Sequence, residues 1–201
     1  MKIIQEKILL NKGSFGNSKQ MQKIKHQIHN AIFSIENPLG GGSFLLCDLK
    51  QGNGVKPIKT SFIDSLVADG WQKENRIAIT NLKQNHPGPI DATYKIENKY
   101  FAVEWETGNI SSSHRAVNKM VIGLLNGFLI GGALILPSRN MYYYLTDRVG
   151  NFKELEPYFD VWEKANYKIH TGFLVIIEIE HDGVSKNIKP IKKGTDGRAL
   201  I

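Results

Sequence analysis

The chain has 201 residues, 41% of them hydrophobic and 22% charged, which is enough for one domain with its own core and excludes a disordered or fibrous protein. Its 26 Lys and Arg against 19 Asp and Glu give a formal net charge of +7, a balance that suits a polyanionic partner. The single cysteine, Cys47, excludes a disulfide framework and a multi-cysteine zinc site, and points to a reducing, intracellular setting.

In chain order, the opening Met1-Lys2-Ile3-Ile4-Gln5-Glu6-Lys7 carries charges where a secretory signal needs an apolar core, so no such signal is expected. Met21, Ile24, Ile28, Ile32 and Ile35 recur at three- and four-residue steps, predicting an amphipathic helix over 18–35 with Ser18 as N-cap. Pro38 and Gly40-Gly41-Gly42 end it, and without a following Lys-Ser or Lys-Thr those glycines are no phosphate loop. Leu45, Leu46 and Leu49 predict a short strand. A helix after Pro57 would turn Ile58, Phe62, Leu66 and Val67 inward. Pro87-Gly88-Pro89 breaks any helix.

Ile90 to Tyr94 and Lys99 to Glu106 predict two strands joined by a turn at Glu97-Asn98. The second puts Phe101, Val103 and Trp105 on one side and Ala102, Glu104 and Glu106 on the other. Val117, Val121, Leu124, Leu125 and Phe128 predict a helix over 112–128. The apolar run from Met120 to Pro137 contains Asn126, Gly123, Gly127, Gly131 and Gly132. It reads as a helix end, a turn and a buried strand at 133–136 rather than a membrane span. Asn151-Phe152-Lys153-Glu154 has the form of a capping box, opening a helix to about Asn166 with an interruption near Pro157. Phe173 to Ile179 is strand-like. Strands mixed with helices predict an α/β chain, a single domain with a central mixed β-sheet flanked by helices.

Asp91, Glu104 and Glu106 carry the candidate chemistry. Residues two apart on a strand share a face, so Glu104 and Glu106 project together, with Asp91 in reach from the neighbouring strand. Three carboxylates converging on one patch repel unless a cation sits among them, and magnesium prefers such oxygen ligands. A basic surface to hold a phosphate backbone and an acidic pocket to hold a metal are what phosphodiester cleavage requires. The same alternation also describes a solvated strand face, and spacing leaves both readings open. The segment Thr107-Gly108-Asn109-Ile110-Ser111-Ser112-Ser113-His114-Arg115 follows at once. Asn bonds adenine through two atoms, Arg bonds guanine in the same way, and Ser bonds either. An ordinary N-cap cluster with a solvated Arg115 has the same composition. His26 and His29 lack a third ligand and are expected to face solvent. His114 either packs or touches DNA, Cys47 is expected buried, and the Tyr142-Tyr143-Tyr144 run is expected to pack on the core. The tail lysines Lys186, Lys189, Lys192 and Lys193 either meet phosphates or solubilise the tail.

Gly88-Pro89-Ile90-Asp91 and Glu104-Trp105-Glu106-Thr107-Gly108-Asn109-Ile110-Ser111-Ser112-Ser113-His114-Arg115 together resemble the BamHI family of type II restriction endonucleases. So do Tyr143-Tyr144-Leu145-Thr146-Asp147-Arg148-Val149, Asn151-Phe152 through Phe159, and Gly194-Thr195-Asp196-Gly197. The resemblance spans roughly residues 53 to 197 in the same order. It implies a restriction-endonuclease-like fold of the PD-(D/E)xK class in which a glutamate, here Glu106, replaces the usual lysine. It further implies that Asp91, Glu104 and the Trp105 backbone carbonyl ligand the metal and that Glu106 is the general base. Glu74, in Trp71-Gln72-Lys73-Glu74, matches a further acidic site residue. One or two Mg2+ per subunit are implied, with Mn2+ able to substitute, Ca2+ inhibiting, and no organic cofactor.

By the same resemblance, Asn109 and Ser111 would read the inner A·T pairs, Arg115 and Asp196 the flanking G·C pairs, and Asp147 and Arg148 the outermost pair. The partner would be double-stranded DNA and the active form a homodimer, built through the helix from Ser112 and the one after Asn151, in the cytoplasm of a prokaryote. The expected activity is Mg-dependent cleavage of a six-base palindrome with central GATC, leaving 5′ GATC overhangs. The chain ends at Ile201, soon after the Gly194-Thr195-Asp196-Gly197 turn. That shortness resembles a smaller family member reading TGATCA, whereas retained Asp147 and Arg148 also suit GGATCC. A DNA-binding protein on a nuclease scaffold that does not cut, and a nuclease of other specificity, are the alternatives.

Overall fold

A computed structural model describes residues 1–80, 88–146 and 148–193. The elements are β1 (Lys2–Lys12), α1 (Lys19–Phe33), β2 (Leu45–Cys47), α2 (Lys56–Ala68), β3 (Gln72–Asn75), β4 (Ile90–Ile96) and β5 (Lys99–Trp105). There follow α3 (Ile110–Leu125), β6 (Leu129–Pro137), α4 (Arg139–Tyr144), α5 (Phe152–Leu155), α6 (Phe159–Glu163), β7 (Gly172–Glu180) and β8 (Gly183–Ser185). Among the described residues the main sheet runs β1-β7-β6-β5-β4-β3. The pairs β5–β6 and β6–β7 are parallel and the others antiparallel, so the sheet is mixed. A separate parallel pair joins β2 to β8.

The sheet is buried on both faces, which explains why β5, β6 and β7 are nearly continuous apolar runs. On one face α1 and α2 set Ile24, Ile28 and Phe62 against Phe101, Val103 and Trp105. On the other, α3, α5 and α6 set Val117, Met120, Phe152 and Trp162 against Ala102, Leu134 and Leu174. The close approach of α3 to β6 requires Gly132, where a Cβ would stand 2.5 Å from the Met120 sulfur. No helix among the described residues is long and apolar enough to cross a membrane.

The predicted elements hold with local differences. Ser18 caps α1 by accepting the Met21 N–H at 3.1 Å, as expected. Asn151 caps α5 by accepting the Glu154 N–H at 3.3 Å, and a 3-10 turn at Glu156–Tyr158 interrupts the helix before α6. Leu49 lies outside β2 and is 52% exposed. Val67 points outward, and Ile63 takes the inward place assigned to it. Tyr143 is 49% exposed rather than in the core. His29 is drawn from solvent to Glu6, its Nε2 lying 2.5 Å from Oε1. Cys47 is buried. The sequence reading does not anticipate the strands β1, β3 and β8 or the helix α4.

Candidate active site

The antiparallel β4–β5 register, with Ala92 against Val103, continues to Asp91 beside Glu104. Glu104 Oε2 accepts the Asp91 N–H at 3.3 Å, and Asp91 Oδ2 accepts the Trp105 N–H at 2.9 Å. Two carboxylates this close inside a protein need positive charge. Lys59 of α2 supplies it to Asp91 Oδ1 at 2.5 Å, and Lys119 of α3 to Glu104 Oε1 at 2.5 Å. Lys119 also donates to the Pro89 carbonyl at 3.2 Å. Burial, then the charge of Asp91, raises the Glu104 carboxyl above its ordinary range, and Lys119 offsets part of that rise.

Glu106 is held differently. Strand β5 ends at Trp105, the Glu106 N–H carries the pairing with β6 one step further by donating to the Ile135 carbonyl at 3.0 Å, and Glu106 lines the same cleft as Glu104. Its Oε1 accepts the Gly108 N–H at 2.6 Å and its Oε2 accepts the Ser113 hydroxyl. The residue is only 5% exposed. Burial pushes its carboxyl up to about 7, outweighing the hydrogen bonds from Ser113, Gly108 and Thr107.

Asp91, Glu104 and Glu106 line one cleft, the first two joined by backbone hydrogen bonds and the third held by Ser113 and Gly108. Among the described residues no three acidic, His or Cys side chains gather closely enough to hold an ion. Glu74 is exposed on β3 with φ 48°. The β3–β4 register, Lys73 against Ala92 and Asn75 against Ile90, sets it across from Asp91. The Asp91–Glu104 pair fits a hard divalent cation by the chemistry of its donors, two adjacent anionic carboxylates.

The pair lines a cleft of about 990 Å³ together with Glu106, Lys59 and Lys119, and Ser111 and Arg115 reach the same cleft from the first turns of α3. Asn109 is exposed and caps α3, accepting the Ser112 N–H at 3.3 Å. The N-cap reading thus describes Asn109 here, while Arg115 stands exposed beside the carboxylates. Arg148 is exposed on the turn before α5 with φ 70°. Asp147 and Asp196 lie outside the described residues. His114 packs, its ring 4.4 Å from Tyr158 and 5.5 Å from Trp162.

Three residues at the site escaped the sequence reading. Lys119 had a signal, since it lies four residues after Arg115 and so shares its helix face. Ser113 was visible only as part of a polar segment. Lys59 had none, because α2 meets β4 only through the tertiary fold.

The family described as "Restriction endonuclease BamHI" matches residues 1–198. The chain is 52% identical over 200 residues to the type II restriction enzyme OkrAI of Oceanobacter kriegii, covering 100% of both. It is 36% identical to the type II restriction enzyme BamHI of Bacillus amyloliquefaciens over 187 residues, 89% of this chain and 84% of that one. In fold it resembles the restriction endonuclease BglII complexed with a DNA 16-mer, with TM-score 0.62 and 11% identity over 96% of this chain and 90% of that one. Free BglII gives TM-score 0.51 at 8% identity over 90% and 81%. With the family match spanning residues 1–198, and two relatives aligned over 100% and 89% of its length at 52% and 36% identity, the chain belongs to the BamHI family of type II restriction endonucleases.

Proposed function

We propose that the protein cuts both strands of a six-base palindrome with central GATC, TGATCA with GGATCC as the alternative, in a Mg-dependent reaction that leaves 5′ GATC overhangs. The observation that carries this reading is the Asp91–Glu104 pair on the floor of the cleft with Ser111 and Arg115 on its wall. Asp91, Glu104 and the Trp105 carbonyl would hold one or two divalent ions, with Glu74 joining from β3. A bound ion supplies charge stabilisation to the phosphate and raises the acidity of water. Glu106 would accept the proton of the attacking water. Its two oxygens accept from Gly108 and Ser113, and a carboxylate has lone pairs beyond those to offer a water. Attack at phosphorus breaks the P–O3′ bond and leaves a 5′-phosphate and a 3′-hydroxyl.

Asn109, Ser111, Arg115 and Asp196 would read the GATC core, and Asp147 and Arg148 the outer pair. Double-stranded DNA in a bacterial cytoplasm is the proposed substrate, without an organic cofactor. A homodimer is favoured by apolar side chains left exposed on adjoining elements, Ile122 and Leu125 of α3 with Tyr158 and Val161 near α6. The test is cleavage of four duplexes carrying NGATC and its complement, with and without magnesium, and with manganese or calcium instead. Metal-dependent cutting of one duplex alone is expected. Tight binding without cutting would favour a non-cleaving DNA-binding protein, and cutting of all four alike would make this a nuclease of other specificity.

A further inference from the structure

The carboxylate of Glu106 is locked into a junction that the site's recognition and metal-binding roles do not account for. Ser113 is fully buried, and its hydroxyl donates to Glu106 Oε2. Gly108 donates its N–H to Oε1, and its own carbonyl accepts the N–H of Gly150 at 2.7 Å. Gly150 packs directly on this group. A Cβ there would stand 2.7 Å from Ser113 Oγ and 3.3 Å from the Ile110 backbone. Gly150 lies two residues after Arg148, and the intervening Val149 is 2% exposed, which anchors the segment in the core. The turn bearing Arg148 and the oxygens of Glu106 therefore meet through one backbone bond and one hydroxyl.

We propose that Ser113 is a positioning residue which, with the Gly108–Gly150 bond, ties Glu106 to the turn bearing Arg148, so that Glu106 is oriented for reaction only when that turn is seated on the correct outer base pair. The proposal rests on the roles given above to Glu106 and Arg148. A hydroxyl that merely satisfied a buried carboxylate would affect every substrate alike, whereas a coupling element matters only where the turn is seated correctly.

The experiment measures single-turnover cleavage in magnesium, and duplex affinity without it, for the full chain and for Ser113→Ala, Gly150→Ala, the double variant and Glu106→Gln. Two duplexes are used, the cleaved site and one with a changed outer pair. Ser113→Ala is expected to slow cleavage of the correct site about 10- to 100-fold, the scale of a displaced reacting group, with affinity unchanged. It is expected to slow the altered site little further. Gly150→Ala should reproduce that pattern by crowding Oγ, and the double variant should lose less than the product of the single losses. Equal slowing on both duplexes, affinity falling in step with rate, or losses that multiply would each overturn the proposal. If Glu106→Gln cuts at the parental rate, the base assignment itself fails. If Glu106→Gln is inactive while Ser113→Ala cuts normally, only the positioning role fails.

Discussion

Glu106 keeps a carboxyl group out of water among hydrogen-bond donors, and burial lifts its proton affinity to about 7. The unfolded value is 4.5, so the folded chain holds this proton more tightly than the unfolded one. Stability from this group is complete below pH 4.5, drains away as pH rises to 7, and amounts to a penalty of about 3 kcal/mol above that. Glu106→Gln keeps the shape without the charge. It is expected to raise the melting temperature of the metal-free protein by several degrees at pH 8 and to leave it unchanged near pH 4, as calorimetry across that range would show. Lys119 makes the opposite case. Lys119→Met leaves Glu104 buried without its counter-charge, which costs about 3–5 kcal/mol when the carboxyl is ionised. The Glu104 proton affinity then rises further, so urea unfolding should show a wider gap from the parent at pH 8 than at pH 5.

The elements that position the site depend on capping and clamping as much as on periodicity. Asn53, fully buried, is the clearest clamp. Its Oδ1 accepts the N–H of Cys47 and of Ile191, both at 3.2 Å, and its Nδ2 donates to the carbonyls of Cys47 and Tyr144, both at 3.0 Å. One side chain thus joins β2, the end of α4 and the tail. Asn53→Ala is expected to lower the denaturant midpoint and to expose the Ile191 and Cys47 amides to hydrogen exchange sooner than amides of β6, since buried groups left unpaired cost about 1–3 kcal/mol each. The helices α1 and α3 were legible because a half-buried helix writes its period into the chain, and Ser18 and Asn151 marked starts by chemistry the side chain alone dictates. Strand β3 was not legible, because Gln72, Lys73, Glu74 and Asn75 hold no apolar residue and pair only because β4 presents an edge. Strand β1 was missed because register shifts at Ile3/Gln5 and Ile8/Leu10 break the alternation that would have revealed it.

For the whole molecule, the exposed apolar residues of α3 and of the Tyr158–Val161 region are the surface the proposed homodimer would use. Leu125 is 48% and Val161 66% exposed. Leu125→Glu with Val161→Glu is expected to yield a monomer in sedimentation velocity, with loss of concerted double-strand cutting while the fold persists by circular dichroism. A dimer that survives both charges would move the interface elsewhere.

The sequence by itself determined the mixed α/β class, the amphipathic helices, the adjacency of the strands carrying Asp91 and Glu104, and the family, because periodicity, capping chemistry and motif order are local properties of the chain. Only the tertiary structure decided which groups hold Glu106, the Ser113 hydroxyl and the Gly108 N–H. Ser113 reaches Glu106 from the first turn of α3, an approach set by the turn between β5 and α3. The tertiary structure also decided that Lys59 and Lys119 neutralise the acidic pair, because partners brought together from α2 and α3 are chosen by packing across the sheet and leave no mark in linear spacing.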